Sequence, residues 1–236
     1  MGVSLERMWL GQVPALVVRP DGMDAQLPTV LWFHGLTADK ELHQPELERF
    51  AASGFLAVGI DSAGHGERRM PDLDSQFSQP REVTDRLFYA LVAQTVTEVP
   101  RIIDTLIDRG MSDSNRIGAT GVSMGACIVY GAVATEPRIR GAAALLGSPE
   151  WTHPDSPHCR ADSFYPTALL SITAELDEVV PPVAARNLHD RLAARYAAQP
   201  ERLMYRQIAG APHFLTPEDW LRAVGDATAW LQRFAR

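Results

Sequence analysis

Short apolar runs alternate along the chain with longer stretches in which apolar positions recur every three or four residues, the pattern of strands alternating with amphipathic helices. Residues 8–19 read as an opening strand pair broken near Gly11 and Pro14, and further strands are predicted near 28–34, 55–61, 115–122, 140–147, 167–174 and 202–209. Helices fit 43–53, 93–109, 124–135, 183–197 and 217–235. The last carries Trp220, Val224, Ala227, Leu231 and Phe234 at helical spacing, a stripe read as core. Strands that are apolar throughout and separated by helices imply an α/β fold, a mostly parallel sheet covered on both faces. At 236 residues and 46% hydrophobic content, the chain is expected to form one domain over 1–236.

Between the strand near 115–122 and the helix near 124–135 stands Gly121-Val122-Ser123-Met124-Gly125. This G-x-S-x-G element in strand–turn–helix context is the signature of a nucleophile elbow, where a sharp turn leaves no room for side chains at the two glycines. A serine hydroxyl is a weak nucleophile, so Ser123 needs a base, and the base needs a carboxylate to hold its tautomer. Asp177 follows the strand near 167–174, in a loop closed by Pro181 and Pro182, with Glu175 and Glu178 as nearby competitors for the same role. His213 follows the strand near 202–209 in a Gly/Pro turn, just before the helix-start pattern Thr216-Pro217-Glu218-Asp219. The chain order Ser123, Asp177, His213 and the placement at strand ends match one serine-hydrolase arrangement.

Acyl transfer also needs two N–H groups aimed at the developing oxyanion. One is expected from the backbone of Met124 and the other from that of Leu36, in the loop that leaves the strand Thr29–Phe33. His34, at the end of that strand, is read as ordering the loop by hydrogen bonding.

Five blocks in register resemble the α/β-hydrolases, and more narrowly the small serine esterases related to dienelactone hydrolase and prolyl-oligopeptidase catalytic domains. They are His34-Gly35-Leu36-Thr37-Ala38-Asp39-Lys40, Asp61-Ser62-Ala63-Gly64-His65-Gly66-Glu67-Arg68, the elbow, Asp177-Glu178-Val179-Val180-Pro181 and Gly210-Ala211-Pro212-His213. The resemblance covers nearly the whole chain. It implies an α/β-hydrolase sheet of about eight strands with a short lid, and a structural role for Asp61 and His65. Dienelactone hydrolases proper use a cysteine nucleophile, whereas this elbow holds Ser123, which favours cleavage of ordinary carboxylic esters through an acyl-enzyme. The alternatives are a prolyl-oligopeptidase-like peptidase and a catalytically silent binding protein of the same fold.

Two segments interrupt the alternation and are expected to shape substrate preference. Residues 68–91 begin polar and turn apolar. Residues 148–166 hold Trp151, Phe164 and several prolines and are read as the lid. With Phe214, Trp151 and Phe164 are the expected pocket residues, and a lid this short suggests a pocket of modest volume for small acyl groups.

A net charge of −7 without a basic stripe excludes nucleic acid as a natural partner. No run approaches the roughly 18 apolar residues of a membrane span. His153, His158 and Cys159 match no zinc spacing, so no metal and no cofactor is expected. Two cysteines do not imply a disulfide, and the chain reads as cytoplasmic, acting on a small-molecule ester.

Overall fold

The computed structural model describes residues 2–23 and 25–236. Strands β1 (Val3–Leu10), β2 (Val13–Pro20), β3 (Leu27–Phe33), β4 (Leu56–Ile60), β5 (Ser112–Val122), β6 (Ile139–Leu145), β7 (Ala168–Ala174) and β8 (Leu203–Ile208) form one sheet in the order β1-β2-β4-β3-β5-β6-β7-β8. Strand β2 runs antiparallel to both β1 and β4, and every later neighbour pair is parallel. Helices α1 (Gln44–Ala52), α2 (Leu73–Gln76), α3 (Arg81–Asp108), α4 (Met124–Thr135) and α5 (Val183–Leu192) lie in the connections between strands, and α6 (Pro217–Phe234) follows the last strand. This is the α/β-hydrolase fold.

Alternation of side chains along each strand gives the sheet two apolar faces. Leu31, Phe33, Val58 and Ile117 point to one face and pack with Val99, Ile102 and Leu106 of α3, Ile128 of α4 and Leu188 of α5. Val30, Trp32, Ala143 and Leu170 point to the other and meet Leu47 and Phe50 of α1 and Val224, Ala227 and Leu231 of α6. Burial on both sides explains why the parallel strands read as unbroken apolar runs rather than as alternating ones. Helix α6 opens with Thr216, whose Oγ1 accepts the Asp219 N–H at 3.2 Å. The capping pattern and the core stripe of that helix were both legible.

Helix α3 departs from expectation. It begins at Arg81 rather than near 93, because its first ten residues bury little, so the core-facing periodicity starts only at Leu91. Ahead of it, 68–80 runs through α2 and packs Met70, Leu73 and Phe77 against Ala63 and against Leu87 and Leu91 of α3. That segment is clamped to the body by Arg68, whose guanidinium donates to both carboxylate oxygens of Glu98 at 2.9 and 2.6 Å. Below it Asp61, fully buried, accepts from the Lys40 ammonium and backbone N–H and from the Glu67 N–H, each at 2.9 Å. Asp61 is therefore structural, as the resemblance implies. A Cβ at Gly66 would lie 2.0 Å from its carboxylate, which accounts for the glycine.

Two buried imidazoles couple the fold to pH. Burial lowers the pKa of His34 and of His189, each to about 4, so both are neutral in the folded protein well below the ordinary 6.5. Between those values the unfolded chain binds more protons, so stability rises with pH across the window and is lost as pH falls from 6.5 toward 4. Each group contributes on the order of 3 kcal/mol. Urea midpoints are expected to drop between pH 7 and pH 5; midpoints flat across that range would contradict it.

Candidate active site

The carboxyl ends of β3, β5, β7 and β8 converge, which is where open α/β sheets place ligands. Strand β5 ends in the elbow. Ser123 adopts φ 54° and ψ −113°, and its N–H donates to the Leu145 carbonyl at 2.8 Å. A Cβ at Gly125 would meet the Phe33 carbonyl oxygen at 2.0 Å, and one at Gly121 would meet it at 2.6 Å. Both glycines are thus required by contact with β3, and this contact holds the serine on its turn. Thr37, Ser123 and Leu146 are the three non-glycine residues with positive φ among the described residues, and all three border the same cavity. Strain of this kind costs roughly 1–3 kcal/mol per residue and gathers at functional sites.

His213 Nε2 lies 3.0 Å from Ser123 Oγ, and Asp177 Oδ2 accepts from His213 Nδ1 at 2.7 Å. The other carboxylate oxygen of Asp177 accepts the N–H groups of Val179 and Val180 at 3.0 and 2.7 Å, so the side chain is fixed from both ends. Asp177 and His213 are buried. Neither competing carboxylate takes this position: Glu175 accepts the Gly210 N–H at 2.7 Å, bracing the histidine loop, and Glu178 is exposed at the cavity wall.

The loop after β3 lies against the nucleophile, since a Cβ built on Gly35 would sit 3.9 Å from Ser123 Cβ. His34 orders it. Its Nε2 accepts the Ser62 N–H at 3.0 Å, which places the ring hydrogen on Nδ1, where it donates to the Gly35 carbonyl at 2.7 Å. That carbonyl also closes the turn by accepting from Ala38 at 3.3 Å. Leu36 lies inside this turn and borders the cavity, and among the described residues its N–H has no backbone acceptor. The Met124 N–H, at the first position of α4, has no intrahelical partner by construction.

The cavity at these strand ends measures about 940 Å³, near the upper end of the usual range for small-molecule sites and larger than the modest pocket expected. Its cover differs from the expected one too. Trp151 is 6% exposed and Phe164 0%, both within the core; a Cβ at Gly131 of α4 would touch the indole at 2.6 Å. Of residues 148–166 only Ser148 and Glu150 line the cavity, so this segment is packing rather than lid. The wall comes from Phe77 and from Arg81, Thr84, Asp85, Phe88 and Tyr89 at the amino-terminal end of α3, all within the 68–91 segment expected to shape substrate preference. Their spacing of three and four places them on one helix face. Trp151 supports this wall from behind, its ring stacked on Tyr89 at 6.0 Å. Phe214 does line the cavity.

Cys127, one turn beyond Ser123, also borders it, but burial pushes its thiol up to about 12 and the Ser148 N–H donates to its Sγ at 3.4 Å. It is not poised as a nucleophile. Among the described residues no cluster of His, Cys, Asp and Glu could hold a metal ion, and no helix is long and apolar enough to cross a membrane.

Known proteins resemble this chain over most of its length. The model of the dienelactone hydrolase family matches residues 13–211. YitV of Bacillus subtilis, named as an esterase, is 25% identical over 89% of this chain and 92% of its own length. The esterase YjfP of Escherichia coli is 25% identical over 77% of this chain and 69% of its own. A solved structure from Thermus thermophilus has a TM-score of 0.78 at 25% identity, covering 98% of this chain and 99% of its own.

Proposed function

The chain belongs to the dienelactone hydrolase family and is a hydrolase of the esterase type; from that premise we propose that it is a serine carboxylesterase in which Ser123, His213 and Asp177 form the catalytic triad. The observation that carries the proposal is the unbroken relay of 3.0 and 2.7 Å contacts from Ser123 Oγ through the imidazole to Asp177.

In this reading His213 Nε2 takes the hydroxyl proton as Ser123 Oγ attacks the ester carbonyl, and Asp177 stabilises the imidazolium. The N–H groups of Leu36 and Met124 hold the oxyanion. Collapse of the tetrahedral intermediate breaks the bond to the alcohol oxygen, which leaves with the proton from His213. Water, deprotonated by the same nitrogen, then attacks the acyl-enzyme and releases the acid. Apart from that water, every step uses groups of the chain itself and calls for no cofactor or metal. One hydrolase domain over 1–236 is part of the proposal, supported by a sheet that runs unbroken from β1 to β8. So is a reducing, cytoplasmic setting, supported by two unpaired cysteines, Cys127 and Cys159.

The experiment that tests this reading compares p-nitrophenyl butyrate with dipeptide p-nitroanilides. Ester hydrolysis with kcat/KM at least a hundredfold above that for the amides is expected. The reverse order would make the chain a peptidase, and no turnover of either would make it a silent binder.

A further inference from the structure

The two sides of Ser123 differ in kind. Toward α3 the cavity is walled by Leu36, Phe77, Phe88 and Tyr89, all partly buried. Elsewhere around the cavity stand Leu42, Val179, Val183 and Phe214, which border it yet are 63%, 54%, 54% and 83% exposed, and Phe214 and Val179 lie on the His213 side. They come from four separate places: the loop before α1, the turn after Asp177, the first residue of α5 and the position after His213.

Exposed apolar side chains gathered at a cavity mouth mark a surface meant to be covered. Chemistry identifies the cover. The group that departs in the first half of the reaction takes its proton from His213 Nε2, so the ester's alcohol oxygen must lie beside that nitrogen and the rest of the alcohol must extend over whatever adjoins it. Phe214 and Val179 bring this collar up to it, and Leu42 and Val183 continue the exposed apolar lining of the same cavity. The Phe214 ring packs edge-on against the imidazole, centroids 5.4 Å apart at 88°. The Val179 N–H is bonded to Asp177, the carboxylate that holds the imidazole. Glu178, between Asp177 and Val179, adds a negative charge to the same wall.

We infer that the collar is the leaving-group subsite and that the preferred substrates are esters of bulky, apolar alcohols that carry no negative charge, a specificity that rests on the triad reading above. Transfer of one phenyl-sized group from water onto such a surface is worth tenfold or more in kcat/KM at about 25 cal/mol per Å² of apolar area. Small or anionic alcohols gain nothing from it.

The test uses butyrate esters that share one acyl group: methyl, 2-phenylethyl and 2-methoxyethyl. The wild type is expected to turn over the 2-phenylethyl ester with kcat/KM about tenfold or more above the other two. Free 2-phenylethanol should inhibit at concentrations where 2-methoxyethanol does not. In V179S/F214S, and separately in L42S on another element, the 2-phenylethyl to methyl ratio should fall toward one. A wild-type ratio near one, or a ratio untouched by both variants, overturns the inference while leaving the esterase reading intact. Absence of turnover on all three esters would instead overturn the esterase reading itself.

Discussion

Ser123→Ala is expected to lower kcat/KM on p-nitrophenyl butyrate by on the order of a million-fold, the loss seen when a serine hydrolase is deprived of its nucleophile. The fold should survive, because alanine is smaller and the turn is held by Gly121 and Gly125 against the Phe33 carbonyl rather than by the hydroxyl. No neighbour can substitute. Cys127 is the other nucleophile-bearing side chain at this end of α4, and its buried thiol, pushed up to about 12, supplies almost no thiolate at neutral pH. Circular dichroism and the urea midpoint of the variant should match the wild type. A loss of less than a hundredfold in a well-folded variant would mean that the hydrolysis belongs to another group.

Asp177→Asn should cost about ten-thousandfold in kcat with little change in KM, as in a serine protease whose triad aspartate is replaced by its amide. The structure gives the reason. Asp177 accepts three hydrogen bonds, from the N–H groups of Val179 and Val180 on one oxygen and from His213 Nδ1 on the other. An asparagine has only one oxygen for these donors. If that oxygen stays with the two backbone N–H groups, the amide NH₂ faces His213 and forces the hydrogen onto Nε2, the nitrogen that must accept the Ser123 proton. If it turns to His213, the NH₂ faces two N–H donors. Glu175→Gln and Glu178→Gln, neither of which touches the imidazole, should stay within a few-fold of the wild type. An Asp177→Asn variant within tenfold of the wild type would remove Asp177 from the account.

Much of this architecture was legible in the sequence because burial on both faces of the sheet makes strand runs such as Thr29–Phe33 and Ala168–Ala174 conspicuous. The elbow was legible for a steric reason, since contact with the Phe33 carbonyl admits nothing larger than glycine at 121 and 125. Asp177 was the expected acid from its place in the chain order and at a strand end, but Glu175 and Glu178 competed with it, because nothing in the sequence gives the distance of each carboxylate to the imidazole. The cavity wall was legible as a segment, since 68–91 interrupts the alternation and holds every residue of it, but not residue by residue. Arg81, Thr84, Asp85, Phe88 and Tyr89 share a helix face, but that face meets an open cavity instead of a core and mixes charge with aromatics, so no apolar stripe betrays it. Trp151 and Phe164 misled for the converse reason. Aromatics in a proline-rich loop resemble pocket residues, yet here the connection between β6 and β7 folds inward and places them against α4 and the core behind it.

The most direct test of the central claim, that hydrolysis proceeds through an acyl group carried on Ser123, is mass spectrometry of the enzyme acid-quenched during turnover of p-nitrophenyl butyrate. The account predicts one added butyryl group, of about 70 Da, on the proteolytic fragment that holds Ser123, and none on the Ser123→Ala protein. An acyl group found on Cys127 or on any other residue, with Ser123 unmodified, would contradict it.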